Sequence, residues 1–193
     1  MSAPLGHNGG PPMALGLGFR RHAWGRARRA LLPTLPLEVV RLRMGRARAL
    51  GLDYATYASA RAAAGQDITA FLFSSNALRL FAPRPDLPED RRARLLAAGA
   101  AGRLLAAHAP LAPEDCARRL AERGVPLAAQ GRAPGFADAP RDRRLALEAL
   151  LRAGGQTRGG VLVVGDTAFE RAWCAEARLA GYLPAERWMA AAP

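Results

Sequence analysis

The sequence contains no lysine: each of its 28 basic residues is an arginine. A chain without lysine cannot form a Schiff base, a serine–lysine dyad or the lysine contact of a phosphate-binding loop, because each of these needs a primary amine. Alanine, arginine, glycine and proline are used heavily throughout, so the absence of lysine also reflects composition. The net charge of +12 therefore does not by itself indicate a nucleic-acid-binding protein.

Cysteine and histidine are also scarce. Cys116 and Cys174 form neither a CxxC pair nor a metal-type spacing, and both two separate thiols and one disulfide are compatible with them. His7, His22 and His108 fit no Ser-His-Asp or Cys-His pattern, so the sequence predicts no catalytic residue and no metal centre. No apolar run approaches the roughly 20 residues of a membrane span, and the N-terminus lacks a secretory pattern. We therefore expect a cytoplasmic protein without a membrane partner.

Three regions of different composition divide the chain. Residues 1–17 are rich in glycine and proline and are expected to form a disordered head. Residues 18–65 are basic and are expected to be helical, whereas residues 66–193 alternate short apolar strands with helices. This alternation predicts an α/β fold of Rossmann-like type, with a small, three- to four-stranded, mainly parallel sheet and covering helices.

The periodicity of apolar residues predicts the individual elements. A helix is expected from Leu37 to Leu50 and ends at Gly51, and Asp53 is placed to cap a second helix, Tyr54 to Ala64. Short apolar runs predict strands at 68–74, 125–129 and 161–164, and an edge strand beginning at 182. Helices are expected at 89–107, 113–123, 141–153 and from about residue 168 to residue 179.

The basic charge is unevenly distributed. Residues 1–61 hold ten arginines against Glu38 and Asp53, a net charge of +8. Residues 62–193 hold 18 arginines against 14 acids, a net charge of +4. Uniform compositional drift would not concentrate the excess in the first third of the chain, so its placement favours an anionic partner for that region.

Arg41 to Arg61 resembles a helix-turn-helix unit. Ala47 lies where that motif has a small residue and Gly51 lies at its turn, although Arg46 falls where the motif usually has an apolar residue. The resemblance implies that the second helix enters a major groove of DNA. The candidate base-reading residues are then Tyr54, Thr56, Ser59 and Arg61, and the candidate phosphate contacts are Arg41, Arg43, Arg46 and Arg48. An ordinary helical hairpin with a solvated arginine face fits the same pattern.

A second basic cluster surrounds Trp24. It fits a flexible arm that binds phosphates, with the indole stacked on a base, and equally a helix whose arginines extend over the core with the indole buried. Binding to an anionic membrane surface is a third alternative, which the scarcity of large apolar residues disfavours. Its candidate nucleic-acid contacts are Arg20, Arg21, Arg26, Arg28 and Arg29.

Val161 to Glu170 resembles the last acidic motif of the haloacid dehalogenase-like superfamily, in which a strand delivers two acids to Mg²⁺. Here Asp166 and Glu170 have that spacing. The strand expected to carry the nucleophilic Asp ends instead in Ser74, Ser75 and Asn76, and the lysine of the family is absent. The resemblance implies a degenerate member, with Mg²⁺ as its only implied cofactor. A plain strand-to-helix turn capped by Asp166 or Thr167 explains the same residues.

These polar residues also suggest a cleft, because open α/β sheets bind ligands beyond the carboxyl ends of their strands. Its candidate residues are Ser74, Ser75, Asn76, Asp166, Thr167 and Glu170. The sequence as a whole favours a nucleic-acid-binding or regulatory protein whose α/β part is non-catalytic and provides stability, homodimerisation or a ligand signal. The alternatives are a haloacid dehalogenase-like enzyme or pseudoenzyme acting on a phosphorylated compound, and a pure interaction module.

Overall fold

Helices and strands alternate along the chain from Leu37 onward. A computed structural model describes residues 35–99 and 101–190. Within these residues the helices are α1 (Leu37–Ala49), α2 (Tyr54–Ala64), α3 (Glu89–Ala97), α4 (Pro113–Glu122), α5 (Pro140–Ala153), α6 (Ala168–Ala177) and α7 (Ala185–Ala190). The strands are β1 (Ala70–Ser74), β2 (Gly102–Ala107), β3 (Ala129–Arg132), β4 (Val161–Gly165) and β5 (Gly181–Pro184). The expected disordered head at 1–17 lies outside the described residues.

The strands form one parallel sheet in the order β3-β2-β1-β4-β5. The chain builds outward from β1 to β3, then crosses back to place β4 on the other side of β1. This is the order of a doubly wound, Rossmann-like sheet, so the expected α/β class is confirmed. The sheet has five strands where three or four were expected, because one strand was hidden in a predicted helix.

That strand is β2. A single helix was expected from 89 to 107, but α3 ends at Ala97 and Gly102–Ala107 lies in the sheet beside β1. Residues 104–107 are fully buried, and a strand buried on both faces shows no alternation of apolar and polar residues. The alanine-rich sequence is therefore compatible with a helix as well as with a strand. Gly99 and Gly102, in the middle of the expected helix, were the signal for a break.

Two further predictions need correction. The strand expected at 125–129 lies at Ala129–Arg132, because Val125 donates its N–H to Leu120 O and so belongs to the end of α4. Pro126 has no N–H to donate to a neighbouring strand. The short helix α7 was not expected, and α6 ends at Ala177, two residues earlier than predicted.

The helical hairpin of α1 and α2 folds as its turn residues predict. Gly51 has φ +64°, a conformation that favours glycine, and it directs the chain from α1 into α2. The Asp53 carboxylate accepts hydrogen bonds from the N–H of Thr56 at 2.8 Å and from its hydroxyl at 2.6 Å, so Asp53 caps α2. Gly65 closes α2 with φ +72°.

Two apolar layers cover the two faces of the sheet. On one face, Phe71 and Phe73 of β1 pack in the same cluster as Ala47 of α1 and Tyr57 of α2. Helices α5 and α6 cover the other face, where Trp173 is the largest buried side chain. From Arg41 the chain forms one compact unit, so the hairpin shares its core with the sheet. Cys116 and Cys174 belong to opposite layers and are both free thiols.

Candidate functional site

Asp67 is the centre of a polar cluster beneath the hairpin. Arg46 Nε lies 3.2 Å from its Oδ2, the Tyr57 hydroxyl donates to its Oδ1 at 2.7 Å, and Arg61 approaches to 3.9 Å. Arg46 also donates to Ile68 O at 2.9 Å. Burial tends to raise the pKa of Asp67, but the hydrogen bonds from Tyr57 and the Ile68 N–H and the two guanidinium charges lower it overall. The structure thus directs Arg46 and Arg61, both candidate nucleic-acid contacts, toward a carboxylate of the chain itself.

The other arginines of α1 have different surroundings. Arg41 and Arg48 are exposed and lie seven residues apart, or two helical turns, which places them on one side of the helix. Arg43 is half-buried. The remaining candidate phosphate contacts lie outside the described residues: Arg20, Arg21, Arg26, Arg28 and Arg29.

The outward side of α2 carries mostly small residues. The Thr56 hydroxyl accepts a hydrogen bond from Arg187 of α7 at 2.9 Å, and Tyr54 is half-buried against the core. Thr56 and Ser59 line a groove of about 320 Å³ between α2 and the edge strand β5. The structure therefore does not bring Tyr54, Thr56, Ser59 and Arg61 together on one open face that could follow a DNA groove.

At the other candidate site, by contrast, the predicted residues converge. β1 and β4 are neighbours in a parallel sheet, so both carboxyl ends open on the same edge, where the strand order reverses. Asn76 Nδ2 donates to Glu170 Oε1 at 3.0 Å. The main-chain N–H groups of Asp166 and Thr167 donate to Glu170 Oε2 at 2.6 and 2.9 Å. We call the space at these strand ends the crevice.

Glu170 is fully buried and ionised. Burial acts to raise the pKa of its carboxyl, but hydrogen bonds from His108, from the main chain at Asp166 and Thr167, and from Ser74 outweigh it and lower the pKa to about 2. Glu170 also forms a reciprocal capping box with Thr167, whose hydroxyl accepts from the Glu170 N–H at 3.1 Å. The expected capping role of Thr167 is confirmed, and Glu170 fastens the ends of three strands.

The two serines after β1 close a turn. Ser74 and Ser75 are both buried. The Ser74 hydroxyl accepts from the Ala77 N–H at 3.0 Å, and the Ser75 hydroxyl accepts from the His108 N–H at 3.1 Å. Neither hydroxyl is therefore accessible to act as a nucleophile toward a ligand that enters from solvent.

His108 is the residue that the sequence did not assign to the crevice. Its imidazole Nε2 lies 2.9 Å from Glu170 Oε1. The expected helix at 89–107 left His108 at a helix end, remote from any strand. Because β2 lies beside β1, the residue after β2 must lie at the same edge as Ser75, so a correct assignment of β2 would have revealed it.

The acids of the crevice do not fit the Mg²⁺ site that the haloacid dehalogenase-like resemblance implies. Both Glu170 oxygens accept hydrogen bonds from protein groups and the side chain is inaccessible. Asp166 Oδ2 lies 3.6 Å from a guanidinium nitrogen of Arg79. Within residues 35–99 and 101–190 no group of three or more His, Cys, Asp or Glu residues is arranged to hold a metal ion.

Comparison of the chain with family models, with curated proteins and with solved structures found no match. Among the described residues, no helix combines the length and the apolar character needed to cross a membrane.

Proposed function

We propose that the protein binds nucleic acid through arginine–phosphate contacts made by its N-terminal third, without reading base sequence. The support is the net charge of residues 1–61, which contain ten arginines and only two acidic residues. Phosphate contacts supply most of the affinity of such complexes, and each one releases counterions. The cytoplasmic location expected from the sequence is part of this proposal. A homodimer, which would double the basic surface, stays a prediction.

The observation that carries the proposal is the division among the arginines of α1. Arg46 is held by Asp67 and contributes to the fold. Arg48 is exposed, so a phosphate backbone can approach it, and Arg41 lies two helical turns before it on the same side of the helix. Arg43 is half-buried and is included among the proposed phosphate contacts as a flanking residue.

Sequence-specific reading has less support. Base edges are read by polar side chains that form paired hydrogen bonds in the major groove. The exposed positions of α2 are Ala55, Ser59, Ala62 and Ala63, which offer one hydroxyl among three methyl groups. We therefore expect similar affinity for duplexes of unrelated sequence.

The test compares two triple variants of the full chain that remove equal charge. Arg41→Gln/Arg43→Gln/Arg48→Gln alters the proposed surface, whereas Arg84→Gln/Arg141→Gln/Arg152→Gln alters exposed arginines elsewhere. Fluorescence anisotropy with two duplexes of equal length and unrelated sequence measures binding. We expect the first variant to lose about tenfold or more in affinity on both duplexes and the second to lose much less. Equal losses, or no binding by the wild-type chain, would refute the proposal.

A second variant in the same test replaces the five arginines from Arg20 to Arg29. Their replacement by glutamine removes the other half of the proposed basic region. An affinity loss that adds to that of the α1 variant supports a continuous contact region. No loss restricts the contact to α1.

A haloacid dehalogenase-like enzyme or pseudoenzyme is the second candidate. It is supported by the adjacency of β1 and β4, which brings Asp166 and Glu170 beside the strand end where that family has its nucleophile. The hydrogen bonds that occupy both Glu170 oxygens weigh against it. The effect of Mg²⁺ on the melting temperature distinguishes the two candidates, because only the second includes a Mg²⁺ site.

A further inference from the structure

The crevice holds one group that the proposed function does not use, the imidazole of His108. The Glu170 carboxylate is ionised and can only accept hydrogen bonds, so the His108 Nε2 that faces it at 2.9 Å carries the proton. In the neutral imidazole Nδ1 then has the lone pair. Nδ1 has no hydrogen-bond partner among residues 35–99 and 101–190, and the side chain is 24% exposed. A ligand in the crevice can therefore donate a hydrogen bond to it.

An aromatic row extends from this histidine to the surface, and we define it as His108, Trp173, Phe169 and Phe136. His108 stacks on Trp173, with ring centroids 5.7 Å apart and planes 28° apart. Trp173 meets Phe169 edge to face at 6.2 Å, and Phe169 contacts Phe136 at 5.6 Å. The row thus runs without a gap from the His108–Glu170 pair to Phe136, in the loop that follows β3.

Phe136 forms the outer end of the row. It lies in the loop between β3 and α5 and is 86% exposed, the highest exposure of any large apolar residue that the structure describes. Aromatic rings exposed in this way offer a face on which a planar ligand stacks. Between His108 and Phe169, Trp173 is fully buried and its indole N–H has no partner within the described residues.

The opposite rim of the crevice favours an uncharged ligand. Asp166 carries a carboxylate there, and the main-chain N–H groups of Asp166 and Thr167 already donate to the buried Glu170 carboxylate. The Asp166 carboxylate and the buried negative charge of Glu170 disfavour a phosphate group at the start of α6, where Thr167 also accepts the Glu170 N–H. Arg79 lies 3.6 Å from Asp166 and has φ +57°, a strained conformation of the kind that clusters at ligand sites.

We propose that the crevice at the carboxyl ends of β1, β2 and β4 binds a nucleoside-like compound. Its planar ring stacks on the exposed ring of Phe136. An N–H or O–H group of the ligand donates to Nδ1 of His108, which Glu170 holds in place. The site is separate from the basic surface of α1, and the inference does not rest on nucleic-acid binding.

The experiment titrates the full chain with adenosine, guanosine, cytidine and uridine by isothermal calorimetry. Two further probes, phenol and inorganic phosphate, supply a ring without a nucleoside and an anion without a ring. We expect at least one nucleoside to bind more tightly than either probe. Absence of binding by all four nucleosides would overturn the inference, and so would equal binding of phenol or phosphate.

Three variants locate the site. Phe136→Ala removes the exposed ring and is expected to weaken nucleoside binding about fivefold or more. His108→Phe keeps a ring against Trp173 but removes the acceptor, and a loss of about fivefold is expected. Leu96→Ala is the matched control, because Leu96 is exposed at the end of α3, toward the opposite edge of the sheet.

The variant results are read as a set. Losses in Phe136→Ala and His108→Phe with no loss in Leu96→Ala support the inference. Unchanged affinity in Phe136→Ala overturns it. If His108→Phe does not fold, Phe136→Ala decides alone, because its side chain is exposed and its loss leaves the core intact.

Discussion

The Arg94 guanidinium donates a hydrogen bond to the carbonyl oxygen of Gly51. It thereby joins α3 to the turn of the helical hairpin, at the end of α1 where unpaired carbonyls carry partial negative charge. The same guanidinium donates to Trp188 O at 2.8 Å and lies 5.0 Å from the centre of the Trp188 ring. Burial lowers the pKa of Arg94, whose side chain is enclosed without a carboxylate partner.

Gly51→Ala tests this junction. A Cβ at residue 51 would lie 2.6 Å from Arg94 Nη1, and φ is +64°. We expect a loss of about 2–3 kcal/mol in the free energy of unfolding, measured by chemical denaturation. Gly65→Ala is the control, since its φ is +72° but no atom lies within 4 Å of the added Cβ. A loss of about 1 kcal/mol is expected there, and equal losses in the two variants would contradict the role of Arg94.

Arg46→Gln should separate folding from binding. Arg46 pairs with Asp67, so its loss should lower the free energy of unfolding by about 1 kcal/mol. It should leave nucleic-acid affinity nearly unchanged, because the side chain faces the protein. Arg48→Gln should show the reverse, with weaker binding and unchanged stability. The prediction fails if Arg46→Gln weakens binding more than Arg48→Gln does.

Local signals in the sequence were sufficient for much of the fold. The hairpin was predicted nearly to the residue, because Gly51 and Gly65 supply positive φ and Asp53 supplies a cap. The strands β1 and β4 were predicted because each is a short apolar run between turn residues. These features depend on residues that are close together in the chain, so they can be predicted from a single sequence.

The crevice was predicted only in part, for a physical reason. Ser74 and Asp166 follow two strands that the sequence identifies, so their convergence could be expected. His108 follows β2, whose alanine-rich segment shows neither a helical nor a strand periodicity. Because β2 was not predicted, the position of His108 at the sheet edge could not be predicted either. The direction of Arg46 depends on Asp67, a contact across 21 residues that no local pattern specifies.

Glu170 should make the fold sensitive to acid. Its carboxyl has a pKa of about 2 in the folded protein, against 4.5 as its ordinary value. A depressed pKa contributes stability that is fully present above about pH 4.5 and is lost as the pH falls toward 2. The contribution at neutral pH is roughly 3 kcal/mol. Glu170→Gln should therefore be destabilised at pH 7, and its difference from wild type should shrink below pH 4.5.

Denaturation at several pH values provides the measurement, and Glu122→Gln is the control. Glu122 is exposed on α4, so its replacement should leave the pH dependence unchanged. A difference between Glu170→Gln and wild type that stays constant from neutral pH to pH 2 would contradict the assignment of an ionised, hydrogen-bonded carboxylate.

Mg²⁺ should not stabilise the protein. A ligand that binds only the folded state raises the melting temperature, but both Glu170 oxygens are already used and Asp166 lies beside Arg79. We expect the same melting temperature with and without Mg²⁺ in the wild-type chain and in Asp166→Asn. A rise with Mg²⁺ that disappears in Asp166→Asn would favour the haloacid dehalogenase-like alternative instead.

The salt dependence of nucleic-acid affinity tests the central proposal most directly. The logarithm of the association constant should fall linearly with the logarithm of salt concentration, with a slope near 0.9 per phosphate contact on a duplex. For Arg41→Gln/Arg43→Gln/Arg48→Gln we expect a slope smaller than that of wild type by about two to three, and no change for the Arg84/Arg141/Arg152 control. Binding that does not vary with salt, or a slope that the α1 substitutions leave unchanged, would contradict the proposal.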